Sequence, residues 1–480
     1  MSRAASVLAR ASHLRGAPSI NRLRYEAGGR SAIVAQAGAA LLLSVLGGAV
    51  IAKTGDWQVA AALLGGATFV ALGMLQPAVF LTALLVVRPL LDGLPGDPGQ
   101  LLGLALIGVC ALVVTSAPQL VRPTATWAFS ILLIVSALAC LPAFMEFPGL
   151  IGLDPIEELV RLAALFAMYF LAAQLITTPP VMRRIIVIVG LSGVGPALWA
   201  LGELARSPTV IAQLGLVRVS GSFVNPVALS SYLALCILIL LSLPRGDVSR
   251  WVRWPAVGVM TAALVVSYGR EGWAFLLVGI ILLHWRTNKR LIAGVAIAST
   301  ALVLLAPGVR ARVLPTEQAT GSQVASTFAS YDWRLANWRG LLIEYGKRPL
   351  TGWGLETTVI VNPRRPTRGK GDPKGGFQAH SAAVRALVEG GILLLAAVVA
   401  LFVVLIGSLL RIARDPELAP YARLLAAAWM AMVVVAVSTN DLLDGTALMY
   451  ALLAMTGGLE GAYRVTAAQR ARAGRQRHSA

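Results

Sequence analysis

The chain has 480 residues, 57% of them hydrophobic and 13% charged, and its formal net charge at pH 7 is +19. With a mean hydropathy of +0.75, this composition excludes an ordinary soluble domain. The three cysteines lie inside apolar runs, which excludes a disulfide framework and a cysteine-based zinc site.

Long apolar runs occupy most of the chain. They are roughly 15–25 residues long, the length that an α-helix needs to cross a hydrocarbon core of about 30 Å. The sequence therefore predicts an all-α polytopic membrane protein with about fourteen spanning helices, or about twelve if the short third and tenth runs pair or are re-entrant. In chain order the runs are 32–52, 57–75, 77–91, 100–116, 126–146, 157–177, 184–203, 223–243, 252–268, 272–286, 289–307, 380–410, 420–437 and 443–459.

The positive charges predict how these helices are oriented. Both chain ends are rich in arginine, so both are expected in the cytoplasm, as mobile basic arms. Most of the net charge has this orienting role and indicates no nucleic-acid partner. The expected organisation is a basic cytoplasmic tail at 1–31, transmembrane helices at 32–307, an extracytoplasmic loop at 308–379, C-terminal transmembrane helices at 380–459 and a basic cytoplasmic tail at 460–480.

The loop 308–379 is strongly basic. It has eleven lysine or arginine residues against five acidic ones, a surplus of six. Long loops are exempt from the positive-inside rule, so this surface is free to meet either anionic lipid headgroups or phosphate on a substrate. Within it, the spacing of apolar residues predicts an amphipathic helix at 331–345, followed by a turn-rich stretch at 349–354 and a flexible flap at 362–376.

His380 lies just past the end of this loop, at the start of an apolar helix. It is one of four histidines and the only one predicted at the outer edge of the membrane, since His13 and His478 lie in the tails and His284 lies beside a cytoplasmic basic cluster. An imidazole next to so much positive charge indicates chemistry on an anionic, membrane-held substrate. The alternative is an interfacial histidine whose hydrogen bonds are satisfied.

Three segments carry a recognisable pattern, in order and on one predicted membrane face. The first is 218–226, which begins with Arg218, and the second is 267–272, which contains Arg270. The third comprises Arg334, Trp338, Pro349, Gly352, Gly354, His380 and the segment 389–392. Together they resemble the hallmark region of the bacterial O-antigen ligase and O-antigen polymerase family. The resemblance covers residues 215–410.

The chain departs from the family pattern at two positions. Ser381 follows the histidine where the family usually has Asn, and Gly269 precedes Arg270 where the family usually has Ser. The N-terminal third shows no motif of the family. These differences bear on the acceptor and the sub-branch more than on the chemistry.

The resemblance implies glycan transfer at the outer face of the cytoplasmic (inner) membrane, among membrane lipids. The donor would be an oligo- or polysaccharide on a polyprenyl diphosphate such as undecaprenyl diphosphate, and the acceptor a hydroxyl of another glycan or glycolipid. The diphosphate leaving group supplies the energy, so no cofactor is expected. An O-antigen ligase and an O-antigen or exopolysaccharide polymerase use the same donor and motifs, so both alternatives stay open.

Displacing a glycosyl diphosphate requires a group that takes the acceptor proton and cations that hold the growing charge on the diphosphate. His380 is the expected catalytic base. Arg218 and Arg270 are the expected phosphate ligands, because guanidinium presents paired donors to phosphate oxygens. No acidic cluster suggests a bound metal, so metal-independent catalysis is predicted.

Two further arginines are expected to bind substrate. Arg385 lies about one helical turn beyond His380, and Arg334 lies on the predicted amphipathic helix. The alternative for Arg334 is a structural ion pair with Asp332 or Glu344.

Two other classes of protein stay open. A secondary transporter or lipid flippase also has many spans and intramembrane arginines, but it more often shows two matching halves with broken helices, and no internal repeat is visible in this sequence. A non-enzymatic partner in polysaccharide export is the other class, and it would not depend on His380.

Overall fold

A computed structural model gives the structure of the chain. It describes residues 77–92, 98–116, 120, 122–206, 210–211, 216–285, 287–305, 325–363, 377–439 and 446–478. The chain divides into two compact units. One comprises residues 1–80 and 108–120, and its described part is helical at 77–80 and 108–116. The other comprises residues 81–107 and 121–480 and contains all the predicted site residues.

The described residues are mostly helical, with one short antiparallel ribbon of strands β1 (Val210–Ile211) and β2 (Leu216–Val217). The helices are α1 (Pro77–Leu91), α2 (Pro98–Ser116), α3 (Thr126–Glu146), α4 (Asp154–Leu175), α5 (Pro179–Ser192), α6 (Val194–Arg206), α7 (Pro226–Ser242), α8 (Arg250–Val266), α9 (Arg270–His284), α10 (Lys289–Leu305), α11 (Ala325–Lys347), α12 (Thr358–Val361), α13 (Ala382–Ile412), α14 (Ala419–Ala436) and α15 (Ala447–His478). The predicted apolar runs at 32–52 and 57–75 lie outside the described residues.

Several of these helices have the length and composition to cross a membrane. In the described part, four long helical stretches do so: Thr126–Glu146, Pro179–Arg206, Ala382–Ile412 and Ala419–Ala436. On α3, Ile134, Leu138 and Leu141 are 57–60% exposed, and their spacing places them on one apolar face of the helix, as expected of a surface that meets lipid. The chain is an all-α polytopic membrane protein, as the sequence predicts.

Close backbone contact joins the C-terminal helix to α4. Gly457 and Gly461 lie one turn apart on α15, and a side-chain carbon at either position would collide with a backbone carbonyl of α4, at Tyr169 and Ala173 respectively. Small residues at this spacing let two helices approach closely, which is how helices associate in lipid, where the hydrophobic effect gives little. The pair α4–α15 is therefore a fixed support for the rest of the bundle.

A second packed group surrounds α7, which is buried along most of its length. It contacts α9 most extensively and also α5, α8 and α14. The buried Trp429 of α14 donates its indole N–H to Thr456 of α15 over 2.9 Å, so the two groups meet through a satisfied polar contact. This packing fixes the start of α9, where the predicted site begins.

Two predicted elements differ in the structure. The apolar run at 184–203 lies in the stretch Pro179–Arg206, which has the length of one span. A turn at Gly193 divides this stretch into α5 and α6. The C-terminal segment predicted to be a mobile arm continues α15 to His478. The reason is visible at Arg470, whose guanidinium pairs with Asp415 at 2.5 Å and with Glu417 at 3.5 Å.

The long predicted helix after His380 is also interrupted. Within α13, Gly391 has φ 65° and ψ −163°, which breaks the helix near one end. The turn-rich stretch 349–354 docks at this break. Trp353 and Gly354 donate their backbone N–H groups to the carbonyls of Val388 and Glu389, both over 2.8 Å, and a third backbone bond runs from Ile392 N–H to Pro349 O over 2.9 Å. The loop thus supplies partners for backbone groups that the break would otherwise leave unpaired.

Candidate active site

The segment that carries His380 is held by side chains of α11. Asn337 donates its amide to Gln378 O over 3.1 Å, and Trp338 donates its indole N–H to Ala379 O over 2.8 Å. Both contacts fall on the residues immediately before the histidine. The helix α11 includes the predicted amphipathic helix 331–345, and these two contacts show that it also positions the segment that carries His380.

A buried amide pair completes this clamp. Asn362, just after α12, donates to Asn337 Oδ1 over 2.8 Å and to Phe377 O over 2.7 Å. Both asparagine side chains are fully buried, so each lost contact would leave a polar group without water. On α11, Asn337 and Leu341 are buried, whereas Leu335 and Leu342 of the predicted apolar face are exposed, as expected of a helix that lies in a membrane interface.

His380 itself has a strained backbone and a half-buried ring. Its φ is 49°, a left-handed value that is rare outside glycine, and Ser381 then caps α13 by accepting from the N–H of Val384. The ring meets Trp333 edge to face, with centroids 5.7 Å apart. Burial lowers the pKa of His380, Arg334 lowers it further, and Glu271 partly opposes the shift. The imidazole is therefore kept neutral to a lower pH than usual.

Backbone strain occurs both at this site and in the neighbouring network of Arg385. In the described chain, three residues other than glycine have a left-handed φ, and they are Tyr268, Glu356 and His380. Tyr268 lies two residues before Arg270, and Glu356 pairs with Arg385 at 2.7 Å. Left-handed backbone costs about 1–3 kcal/mol per residue and tends to occur at functional sites.

Arg334 has a partner that the sequence did not suggest. Its guanidinium lies 3.6 Å from Glu271 Oε1, at the start of α9, and donates to Ser438 O over 3.3 Å. Glu344, one of the expected alternatives, instead pairs with Lys347 at 2.8 Å. The side chain of Asp332, the other alternative, is outside the described part of the chain.

Arg218 belongs to the same charged group. Its Nε donates to Ser267 O over 3.3 Å. Burial lowers its pKa, Glu271 opposes that shift and Arg270 adds to it, so Arg218 interacts electrostatically with both charged side chains at the start of α9. Electrostatic interactions that involve Glu271 thus link four predicted site residues: His380, Arg218, Arg270 and Arg334.

The start of α9 explains one departure from the family pattern. A β-carbon at Gly269 would collide with the hydroxyl of Ser230 on α7, and one at Gly272 would lie 2.5 Å from the backbone carbonyl of the same residue. A serine at position 269 would not fit against Ser230. Gly269 is also the N-cap of α9 and provides no side-chain cap, so this helix end, with its positive dipole, suits an anionic ligand.

Arg385 has a different environment from the other predicted arginines. Its guanidinium pairs with Glu158 of α4 at 3.1 Å, with Glu356 at 2.7 Å and with Glu389 at 3.2 Å. Glu389 also accepts from the hydroxyl of Thr358 over 2.8 Å. Three carboxylates on one guanidinium form a structural network that ties α4, α13 and the segment before α12 together.

The arrangement has a clear chemical capacity. Three guanidinium groups and one carboxylate, those of Arg218, Arg270, Arg334 and Glu271, leave a surplus of two positive charges beside a neutral imidazole. Such a surface suits a ligand with two or more negative charges, with a base next to it. Among the described residues, no group of three or more His, Cys, Asp or Glu side chains is able to hold a metal ion.

Sequence reasoning missed four residues that the site uses: Glu271, Trp333, Asn337 and Asn362. Glu271 follows Arg270 directly and lies just before the predicted apolar run 272–286, which was the available signal. The two asparagines lie 25 residues apart, and no spacing rule connects them.

The comparison with known protein families supports the resemblance. Residues 255–399 match the family model described as O-antigen ligase. This span includes Arg270, Glu271, Arg334 and His380, whereas Arg218 precedes it. A comparison with curated proteins finds no match to the chain.

Proposed function

We propose that this chain is an O-antigen ligase-like glycosyltransferase, because residues 255–399 match the family model described as O-antigen ligase. It moves an oligo- or polysaccharide from a polyprenyl diphosphate, such as undecaprenyl diphosphate, to a hydroxyl of an acceptor glycan or glycolipid. The reaction takes place among lipids at the outer face of the cytoplasmic membrane and needs neither a cofactor nor a metal ion.

The observation that carries the proposal is the meeting of His380 with the arginine cluster. In the transfer step, the acceptor oxygen forms a bond to the anomeric carbon while the bond from that carbon to the diphosphate oxygen breaks. The electron pair leaves with the diphosphate, and the acceptor proton goes to the imidazole of His380. The burial and Arg334 that lower the pKa of His380 keep the imidazole neutral and ready for that proton.

The leaving diphosphate gains charge as the bond breaks. In this proposal Arg218 and Arg270 hold it at the uncapped start of α9, because planar guanidinium groups match phosphate oxygens in pairs. Fixed donors aimed at developing charge stabilise a transition state more than mobile water does. Arg334 completes the cluster on the side of the imidazole.

Arg385 enters the proposal in a different way. Its guanidinium is already ion-paired with Glu158, Glu356 and Glu389. In this proposal Arg385 joins α13, the helix after His380, to α4 through Glu158. This ion pair keeps the histidine in a fixed position when substrate binds. A direct contact of Arg385 with substrate would require one of these pairs to open.

Two experiments test the function and separate its two forms. Purified protein in lipid nanodiscs should transfer glycan from a purified polyprenyl-diphosphate donor to an acceptor, with mass spectrometry of the product. In a deletion strain, loss of surface attachment with long chains still made identifies a ligase, whereas accumulation of single repeat units identifies a polymerase. Normal glycans both on lipid carriers and at the surface would contradict the proposal.

A further inference from the structure

Glu271 is a carboxylate placed among three arginines. Its Oε1 lies 3.6 Å from a guanidinium nitrogen of Arg334, and its side chain is only 10% exposed. It also acts electrostatically on Arg218 and on His380. One acidic group therefore touches or faces the main members of the site.

A carboxylate at this place works against diphosphate binding. It cancels one of three positive charges and repels the phosphate that the arginines would attract. Its contact with Arg334 is long for an ion pair and is not bidentate. Burial of two charges costs free energy, and a contact of this geometry offsets that cost poorly, so the pair alone contributes little to stability. Stability is thus a poor reason for its position, and its effect on the neighbouring base is the stronger one.

Two charged groups act on the imidazole from the helices beside it. Arg334, from α11, disfavours the protonated ring, and Glu271, from α9, favours it. The ring of Trp333, also from α11, contacts His380 edge to face and carries no charge. The proton affinity of His380 hence depends on the balance between one cation and one anion that are themselves in contact.

We propose that Glu271 is the positioning residue of this site: its carboxylate holds Arg334 beside His380 and offsets the field of that guanidinium at the imidazole. This inference rests on the proposed function, in which His380 takes the acceptor proton. A base too close to an unbalanced cation would accept that proton poorly, and Glu271 prevents this.

The test begins with the protein free of substrate, so that it does not depend on any transfer activity. With only four histidines in the chain, isotope-labelled histidine in detergent-solubilised full-length protein gives few NMR signals, and the signal lost in His380→Ala identifies His380. In Glu271→Gln the titration midpoint of His380 should fall by about one pH unit, because the opposing anion is gone. Glu271→Asp keeps the charge and should restore most of the midpoint.

The matched control is Glu344→Gln. Glu344 pairs with Lys347 on α11, so its removal also breaks an ion pair of that helix, yet it should leave the His380 midpoint unchanged. An unchanged midpoint in Glu271→Gln would overturn the proposal and leave Glu271 a structural residue. If Glu271→Gln does not fold, the same substitution beside Arg334→Gln decides, because it removes both partners of the ion pair. A His380 midpoint below that of Arg334→Gln alone supports the charge effect, and equal midpoints contradict it.

Transfer kinetics give a second readout. In Glu271→Gln the site gains one net positive charge, so KM for the diphosphate donor should fall. The value of kcat should also fall, by about tenfold, because His380 becomes a weaker base and Arg334 is no longer held beside it. A loss of kcat with no change in KM or in the pH profile would count against the charge effect. If wild-type protein transfers no glycan at all, the proposed function fails, whereas the NMR titration still tests the role of Glu271.

Discussion

His380 has to accept a proton, so its imidazole must be neutral when the acceptor arrives. Burial and the guanidinium of Arg334 both lower the pKa of His380, and each does so by disfavouring the charged ring. A histidine pKa ordinarily lies near 6.5. A lowered value leaves the ring neutral at pH 6.5 and above, and protonates it only at more acidic pH.

We expect transfer by the wild-type protein to fall as pH drops below the ordinary histidine range, since protonation of His380 removes the base. His380→Ala should lower the rate by about 100- to 10,000-fold, the usual contribution of one general base, while donor binding persists. The measurement is in-vitro transfer as a function of pH, beside a donor-binding assay. His284→Ala, at the other end of α9, is the control and should keep the wild-type profile. Near-normal transfer by His380→Ala would leave the histidine a structural residue.

Arg270→Lys keeps the positive charge and should nevertheless transfer glycan much more slowly, because an ammonium group does not reproduce the paired donors of guanidinium on phosphate. Arg250→Lys is a matched control, since Arg250 begins α8 as Arg270 begins α9, and it should be nearly silent. Both variants are compared by transfer rate and donor affinity. Full activity of Arg270→Lys would make Arg270 an interfacial anchor.

A chelator should leave transfer unchanged in this scheme, because arginines supply the positive charge that a divalent metal supplies in other phosphoryl and glycosyl enzymes. The measurement is transfer with and without excess chelator, followed by addition of magnesium or manganese. A rate that collapses and is restored by a metal ion would contradict the arginine cluster as the charge carrier.

The sequence predicts site residues that belong to a recognisable motif. It predicts less well those residues whose role depends on a contact with a residue distant in sequence. His380, Arg218, Arg270 and Arg334 were expected on one side of the membrane, and electrostatic interactions that involve Glu271 link them. The ion pair of Arg334 with Glu271 joins positions 63 residues apart in sequence, and neither residue reveals its partner through local spacing.

At the scale of elements, the site depends on the interrupted helix α13. The break at Gly391 frees backbone groups, and the stretch 349–354 pairs with them through the three hydrogen bonds between Pro349, Trp353, Gly354 and α13. The packing there is close: a β-carbon at Gly352 would lie 2.6 Å from the backbone of Glu389. The helix start that carries His380 is thereby joined to the loop that precedes it.

Gly391→Ala should destabilise the protein by about 1–3 kcal/mol from backbone strain alone, because the conformation of Gly391 is essentially restricted to glycine. A collision with the backbone of Leu350 adds to the cost. Gly407→Ala is the control on the same helix, where no atom lies within 4 Å of an added β-carbon. It should raise stability by about 0.5–1 kcal/mol. Thermal unfolding in detergent checks both, and equal midpoints for the two variants would contradict the role given to the break.

Helix boundaries were predictable from long apolar runs where no contact with a distant segment interrupts the helix. The runs 77–91 and 126–146 coincide with α1 and α3 at both ends. The sequence did not reveal the break at Gly391, since two glycines in an apolar run are compatible with a continuous helix, and the break depends on a loop some forty residues earlier. The helical C-terminus was missed because its partner for Arg470, Asp415, is distant in sequence.

At the scale of the whole molecule, the positive charges predict a topology that labelling can test. Single cysteines placed at positions 320 and 370, after replacement of the three native cysteines, should react with an impermeant reagent from outside the cell. Cysteines at 250 and 288 should react only from the cytoplasm. External labelling at 288 would overturn the arrangement, because it would place the start of α10, which follows α9, on the side assigned to His380.

The docking of 349–354 into the break of α13 also bears on how the chain is made. The loop is synthesised before the helix that supplies its hydrogen-bond partners. Its backbone hydrogen bonds to Val388 and Glu389 therefore form only after these residues have left the ribosome. The membrane helix in turn exposes unpaired carbonyls until the loop arrives. Neither part is complete without the other, so a secreted fragment ending before His380 should remain open to proteases. Final assembly of this half of the protein is consequently a late event in biogenesis, after insertion of α13.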